Sequence, residues 1–320
     1  MKKVSLLLCS GIVLLCQACS LTVPLDAPAT SSRGYEQSGE LVQRQMALRS
    51  ALPTGHNASS GVVTVHLKLD GKALEAGSLF TESLQKELLA RNLPIDFSGD
   101  SGVVVELKDL NILNHRSNGF SPWVTLSSAK VDLLDDTGGS TRLAAFVKRG
   151  KLPVWTMTEI NEPCYNQPLE LLVKEIAAKI NKQLFSYSLP TTEVNAIANT
   201  IRENSGKDKL SYLDVYELGF SNNKEALPHL LEFATSKREY IRLAAISAIG
   251  ILGNDEQIEF LKPIYNGADS WQDRGMALKA IGDIGSQKSK EFLQEQRERW
   301  AGESSKEARW NTLIIDLFLG

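Results

Sequence analysis

The sequence has little cysteine and little histidine, four of each in 320 residues, and neither is spaced to hold a metal. Cys9 and Cys16 lie in the apolar opening of the chain and Cys19 closes it. Cys164 then stands alone in the body, so no internal disulfide is available once that opening is removed. A lone cysteine of this kind reads as a small buried hydrophobe. His56, His66, His115 and His229 are scattered, with no His-x-x-x-His or Cys-x-x-Cys pair, which argues against a designed metal site. A phosphate-cradling Gly-x-x-x-x-Gly-Lys loop and a Gly-x-Ser-x-Gly nucleophile elbow are also missing. No apolar run is long enough to cross a bilayer: Val4 to Leu15 is about a dozen residues where about twenty are needed. Charge of one sign is lacking as well, since 35 Lys and Arg face 38 Asp and Glu for a net of -3. Electrostatics therefore suggests neither nucleic acid nor an anionic lipid surface as a partner, and no cofactor is expected.

What is present begins with an address. Met1-Lys2-Lys3 supplies a positive start, Val4 to Leu15 an apolar core, and Ala18 a small residue just before Cys19, the plan of an export signal. Leu15-Cys16-Gln17-Ala18-Cys19-Ser20 resembles the lipobox of bacterial lipoproteins, although Cys16 stands where that family prefers leucine. Cys16-Gln17-Ala18 also satisfies ordinary small-x-small cleavage at the same bond, which would leave Cys19 unmodified. The resemblance implies that residues 1–18 are removed and that Cys19 becomes a diacylated N-terminus carrying palmitate-type chains. Ser20 is not the aspartate that retains such proteins at the inner membrane, so the resemblance implies the outer membrane, with the body facing the periplasm.

Residues 19–60 are rich in Ser, Thr, Pro, Ala and Gly and read as a lipidated N-terminus and flexible tether. Within them, Leu41, Gln45, Leu48 and Leu52 would line a short helix over about 35–50. Folded structure is expected over 61–188. Val63, Val65, Leu67 and Leu69 alternate as a strand, and Leu74, Gly77, Phe80, Leu84 and Leu88 recur at helical spacing up to Pro94. Val103, Val105 and Leu107 alternate on one parity while Leu110 and Ile112 continue on the other. Val124 and Leu126 give way in the same manner to Val131 and Leu133, and each change of parity predicts a bulge or bend. A turn at 135–139 leads to Leu143, Ala145 and Val147, and a helix then carries Leu169, Leu172, Val173, Ile176, Ile180 and Leu184 on one stripe. Strand, helix, several strands and helix make an α+β two-layer sandwich. In order and size this resembles the small periplasmic lipoprotein domains related to the TolB N-terminal domain and the transport-auxiliary lipoproteins.

From 189 to 320 strand patterns vanish and a period of about thirty-two residues appears. Arg242-Leu243-Ala244-Ala245-Ile246-Ser247-Ala248-Ile249-Gly250 aligns with Arg274-Gly275-Met276-Ala277-Leu278-Lys279-Ala280-Ile281-Gly282, the signature of stacked helical hairpins. These copies resemble the HEAT family in its short form first noted in phycobiliprotein lyases. The expected fold class is thus an α+β sandwich followed by an all-α HEAT-like repeat domain.

Three constellations are candidate sites. Arg242, Arg274 and Arg309 recur once per repeat and would offer a ladder to an acidic partner, or else hydrogen-bond between repeats. Phe120 and Trp123 sit at a loop-to-strand junction, as an exposed contact or as core. Glu159, Glu162, His115 and Cys164 would be the pieces of an enzymatic site if a cleft gathered them. With no catalytic residue assigned, the expectation is a membrane-anchored scaffold that binds an envelope protein through its repeats. The alternatives are a transport or envelope-assembly auxiliary, which calls for a greasy groove, and a lyase or hydrolase.

Overall fold

A computed structural model describes residues 20–319 apart from 38, 40, 41, 100, 101, 136, 137, 205 and 206. Cys19 and the export signal lie outside the described residues.

The stretch expected as a tether is part of the fold. β1 (Leu21–Leu25) pairs in parallel along β4 (Val65–Leu69), which turns back into β5 (Lys72–Ala73). Where a helix was expected over 35–50, residues 44–50 form a strand, β2 (Arg44–Ser50), and Leu41, part of that expectation, lies outside the described residues. Met46, the third residue of β2, is fully buried, Leu48 packs on the core from the same side, and β2 lies parallel to β7 (Val103–His115). The i, i+4 reading failed because Met46 and Leu48 alternate at a strand's period of two. Pro28 and Pro53 fall in the connections between these short strands, whereas Pro24 lies within β1 and Ser59 and Ser60 within β3 (Ser59–Gly61).

The main sheet runs β6 (Ile95–Asp96), β2, β7, β8 (Trp123–Leu134), β9 (Ser140–Lys151), with β3 (Ser59–Gly61) on the far half of β7. α1 (Ala76–Ala90) and α2 (Gln167–Leu184) cover one face. The two changes of parity have different causes. In β7 the register against β8 shifts between Leu107 and Asp109, so Val105 and Leu107 before it and Leu110 and Ile112 after it all face the helices. β8 has no such break, since it pairs residue for residue with β9 from Trp123↔Lys151 to Leu134↔Ser140. Leu126 points to the opposite face and is buried there. The expected bulge in β8 is thus a strand covered on both sides.

The second cover is the repeat array, four helical hairpins among the described residues. Outer helices α3 (Thr191–Asn204), α5 (Leu227–Phe233), α7 (Asp255–Gly267) and α9 (Gln287–Trp300) alternate with inner helices α4 (Ser211–Phe220), α6 (Glu239–Leu252), α8 (Trp271–Ile284) and α10 (Lys306–Leu319). Small residues set the spacing of the inner layer: a Cβ on Gly250 would come within 2.4 Å of the Ala280 Cα, and one on Gly219 within 2.6 Å of the Ala248 Cβ. Caps end the outer turns. Asn254 and Gln257 form a capping box on α7, and Gly285, at φ 69°, closes α8 in the left-handed conformation.

Candidate functional site

The inner helices of the array close on the α+β domain, and a buried set of charges marks the junction. From α2, Lys179 Nζ donates to Glu175 Oε1 and to Asp283 Oδ1 of α8, each at 2.6 Å, and also to the Ala144 carbonyl of β9. From α8, Lys279 Nζ lies 2.7 Å from Glu175 Oε1 and 2.5 Å from Asp283 Oδ2, and donates to Ser247 Oγ of α6 at 2.7 Å. Two ammonium and two carboxylate groups balance. Burial alone disfavours the Lys279 ammonium, but Asp283 and Glu175 outweigh it and its pKa is raised.

Further ties run along the junction. Lys148 donates to Glu239 at 2.6 Å, the Tyr240 hydroxyl to the Gly150 carbonyl at 2.6 Å, and Asn222 to the Ala178 carbonyl at 2.9 Å. The Arg149 guanidinium lies 4.0 Å from the ring centre of Tyr212 and 4.1 Å from that of Tyr240, a stacked arrangement suited to arginine. It donates to the Pro163 carbonyl and to Gln167 Oε1. At the α1 end, Arg91 makes a two-pronged contact with Glu217 of α4 at 2.7 and 2.9 Å, and Tyr35 donates to the Phe220 carbonyl at 2.6 Å. The inner side of the array, of the kind that helical solenoids offer to other molecules, is here covered by α2, β8 and β9.

Beside the buried charges a cleft of about 400 Å³ opens at the start of β9. Arg142, Lys179, Lys182 and Lys290 line it together with Asp283, Leu317 and Phe318. None of Glu159, Glu162, His115 and Cys164 reaches it. His115 packs edge-on against Trp310 on the array side of the sheet, whereas Cys164 is buried on the other side near Thr125. Burial pushes the Cys164 thiol up to about 12, against the pull of Arg149, so it is not a poised nucleophile. Glu159 pairs with Lys151, and Glu162 accepts from Asn166. No cluster of three metal-ligating side chains occurs among the described residues. Between the sheet and the inner helices, Leu126 and Phe146 meet Trp271, Met276 and Trp310, and the void left there is about 10 Å³, room for about one water.

The arginines of the repeats divide. Arg242 spans to Asp273 at 3.1 Å and to the Ser236 carbonyl, and Arg274 to Glu307 at 2.6 and 2.8 Å. Both tie one repeat to the next. Arg309 is exposed. Phe120 and Trp123 also separate: Trp123 is 1% exposed and belongs to the core, whereas Phe120 is 95% exposed. Sequence reasoning missed Trp155, which stands 81% exposed beyond β9; nothing in its neighbours separates it from a buried tryptophan.

Comparison with known proteins adds the following. No curated protein matches the chain. Among the solved structures that resemble part of it, a minor lipoprotein from Acinetobacter baumannii, at 14% identity and TM-score 0.31, covers 46% of this chain and 100% of its own. A Xanthomonas campestris protein of the family DUF330, at 11% identity and TM-score 0.33, covers 50% of this chain and 99% of its own. Residues 204–282 match the HEAT repeats, and these residues lie in the helical part of the molecule, whose inner helices pack on the α+β domain.

Proposed function

We propose that the chain is an envelope lipoprotein, diacylated at Cys19 and held at the outer membrane with its body in the periplasm, that acts by binding and not by catalysis. Its partner is an envelope protein, seated on the outer helices α3, α5, α7 and α9. The observation that carries this reading is that the inner helices are already committed to α2, β8 and β9 through the charges of Glu175, Lys179, Lys279 and Asp283. HEAT repeats commonly serve as protein-interaction scaffolds, and the array's remaining extended surface is its outer one. A membrane anchor raises the effective concentration of that surface for a neighbouring membrane protein. No helix among the described residues is long and apolar enough to cross a membrane, so Cys19 would be the attachment.

The test is photo-crosslinking in living cells, with the crosslinker placed at Ala196, Glu256 and Glu295, exposed on α3, α7 and α9, and at Asp70, exposed on the α+β domain. The expected result is one shared protein adduct from the three helical positions and none from Asp70. Adducts from Asp70 alone would move the function to the α+β domain.

A further inference from the structure

We propose that the end of the sheet carrying Val62, Phe120, Leu152 and Trp155 rests on an anionic lipid bilayer, with these four side chains in its interfacial layer. The inference rests on the anchored reading, and it goes further by fixing how the body stands on the membrane.

The first observation is where the chain enters. The Leu21 amide donates to the Thr64 carbonyl at 2.9 Å, and Val63, next to Thr64, is held by the Asn114 side chain through Val63 N–H and the Val63 carbonyl. Asn114 is the penultimate residue of β7. The fold therefore begins at the end of the sheet where β7 finishes, and no tether intervenes. Cys19 is two residues from Leu21, a stretch of at most about 7 Å. A lipid on Cys19 would bring this end of the body against the headgroups.

The second observation is what that end exposes. Register places the end of β7 beside the start of β8 and the end of β9, through His115↔Val124 and Trp123↔Lys151. Phe120 lies in the β7–β8 connection, Leu152 and Trp155 directly follow β9, and Val62 donates its N–H to the Asn114 carbonyl. Phe120 is 95% exposed, Trp155 81%, and Leu152 and Val62 58% each. The Phe120 loop is braced: Asn118 Oδ1 accepts from the Phe120 and Ser121 amides, Ser121 Oγ accepts from the Ser117 and Asn118 amides, and Arg116 donates to the Ser121 and Gly119 carbonyls. A fixed loop holding a phenylalanine in water lacks the layer that would cover it.

Local charge favours lipid as that layer. Lys306 donates to Ser117, Lys306 and Arg309 both face His115, and Arg116 sits at the base of the Phe120 loop. Lys151 is paired with Glu159, whose carboxylate also accepts from the Trp155 amide. Aromatic tips within a rim of cations match the chemistry of an anionic interface. This also gives exposed Arg309 an occupant.

The test uses the mature chain in vesicles of phosphatidylethanolamine and phosphatidylglycerol with brominated acyl chains, its acylation state read from an intact-mass spectrum. Trp155 emission is taken as the difference between the parent and Trp155→Phe. Docking predicts that bromolipid lowers this emission at least twofold and that Phe120→Glu removes most of the quenching. Unquenched Trp155 in a lipidated protein overturns the proposal, and so does quenching unchanged by Phe120→Glu, since the lipid alone would then explain the proximity. A spectrum without acyl chains refutes the anchor, and quenching of Trp155 in that same protein still decides the docking.

Discussion

Lys279 of the repeat array and Glu175 of the α+β domain meet at 2.7 Å with neither side chain exposed to solvent. Asp283 and Lys179 complete the set, so no member carries an uncompensated charge. Such a set adds little net stability over an apolar core, but losing one member strands its partners. Lys279→Met leaves two carboxylates for one ammonium and is expected to cost about 3–5 kcal/mol in urea unfolding. Lys279→Met with Glu175→Leu restores neutrality and should cost less than the two single changes added together. Simple additivity would show that the four groups do not act as a unit.

Gly250 tests the spacing of the inner helices. In an exposed helix, Gly→Ala gains about 0.5–1 kcal/mol of backbone entropy. Here the added methyl would sit 2.3 Å from the Ala280 carbonyl oxygen, and separating two helix backbones costs about 1–3 kcal/mol. Overpacking wins, so Gly250→Ala should lower the urea midpoint. A raised midpoint would show that α6 and α8 stand further apart than described.

Alkali should weaken the fold. Burial holds the Cys164 thiol at about 12 and raises the Tyr35, Tyr165 and Tyr212 hydroxyls above their ordinary range. Below about 8.5, the pKa of a free thiol, folded and unfolded chains both keep the thiol proton and its contribution is fully present. Between about 8.5 and 12 the unfolded chain binds fewer protons than the folded one, so stability falls as pH rises. Urea midpoints at pH 8, 10 and 11 should decline in that order, and Cys164 should react with a thiol reagent at pH 8 only as fast as the protein opens. Labelling at the rate of a free thiol would contradict its burial.

Much of the architecture was legible from periodicity. α1, α2, the long strands and the repeat register announce themselves because each has one apolar face at a fixed period. The bulge in β7 was legible too, since Leu107 and Leu110 change parity around it. Leu126 gave the same signal for another reason, because parity reports that a side chain is buried and not which layer buries it. β1 and β2 were hidden by their short length among turn residues. The charges were half visible: Glu175 and Lys179, like Lys279 and Asp283, stand four apart as ordinary helix pairs. Their meeting across α2 and α8 depends on the docking of two modules, which no local pattern encodes. That docking also changes what truncation means. A chain ending at residue 188 would expose Leu126, Phe146, Glu175 and Lys179, all covered in the whole molecule.

The array and the α+β domain should therefore unfold as one body, and hydrogen exchange of the full chain across a urea series measures this directly. Amides of α2 and β9 on one side of the junction and of α6 and α8 on the other are predicted to lose protection at the same urea concentration. Loss of protection in α6 and α8 at one concentration and in α2 and β9 at a distinctly different one would contradict the account, leaving the inner helices open to a partner.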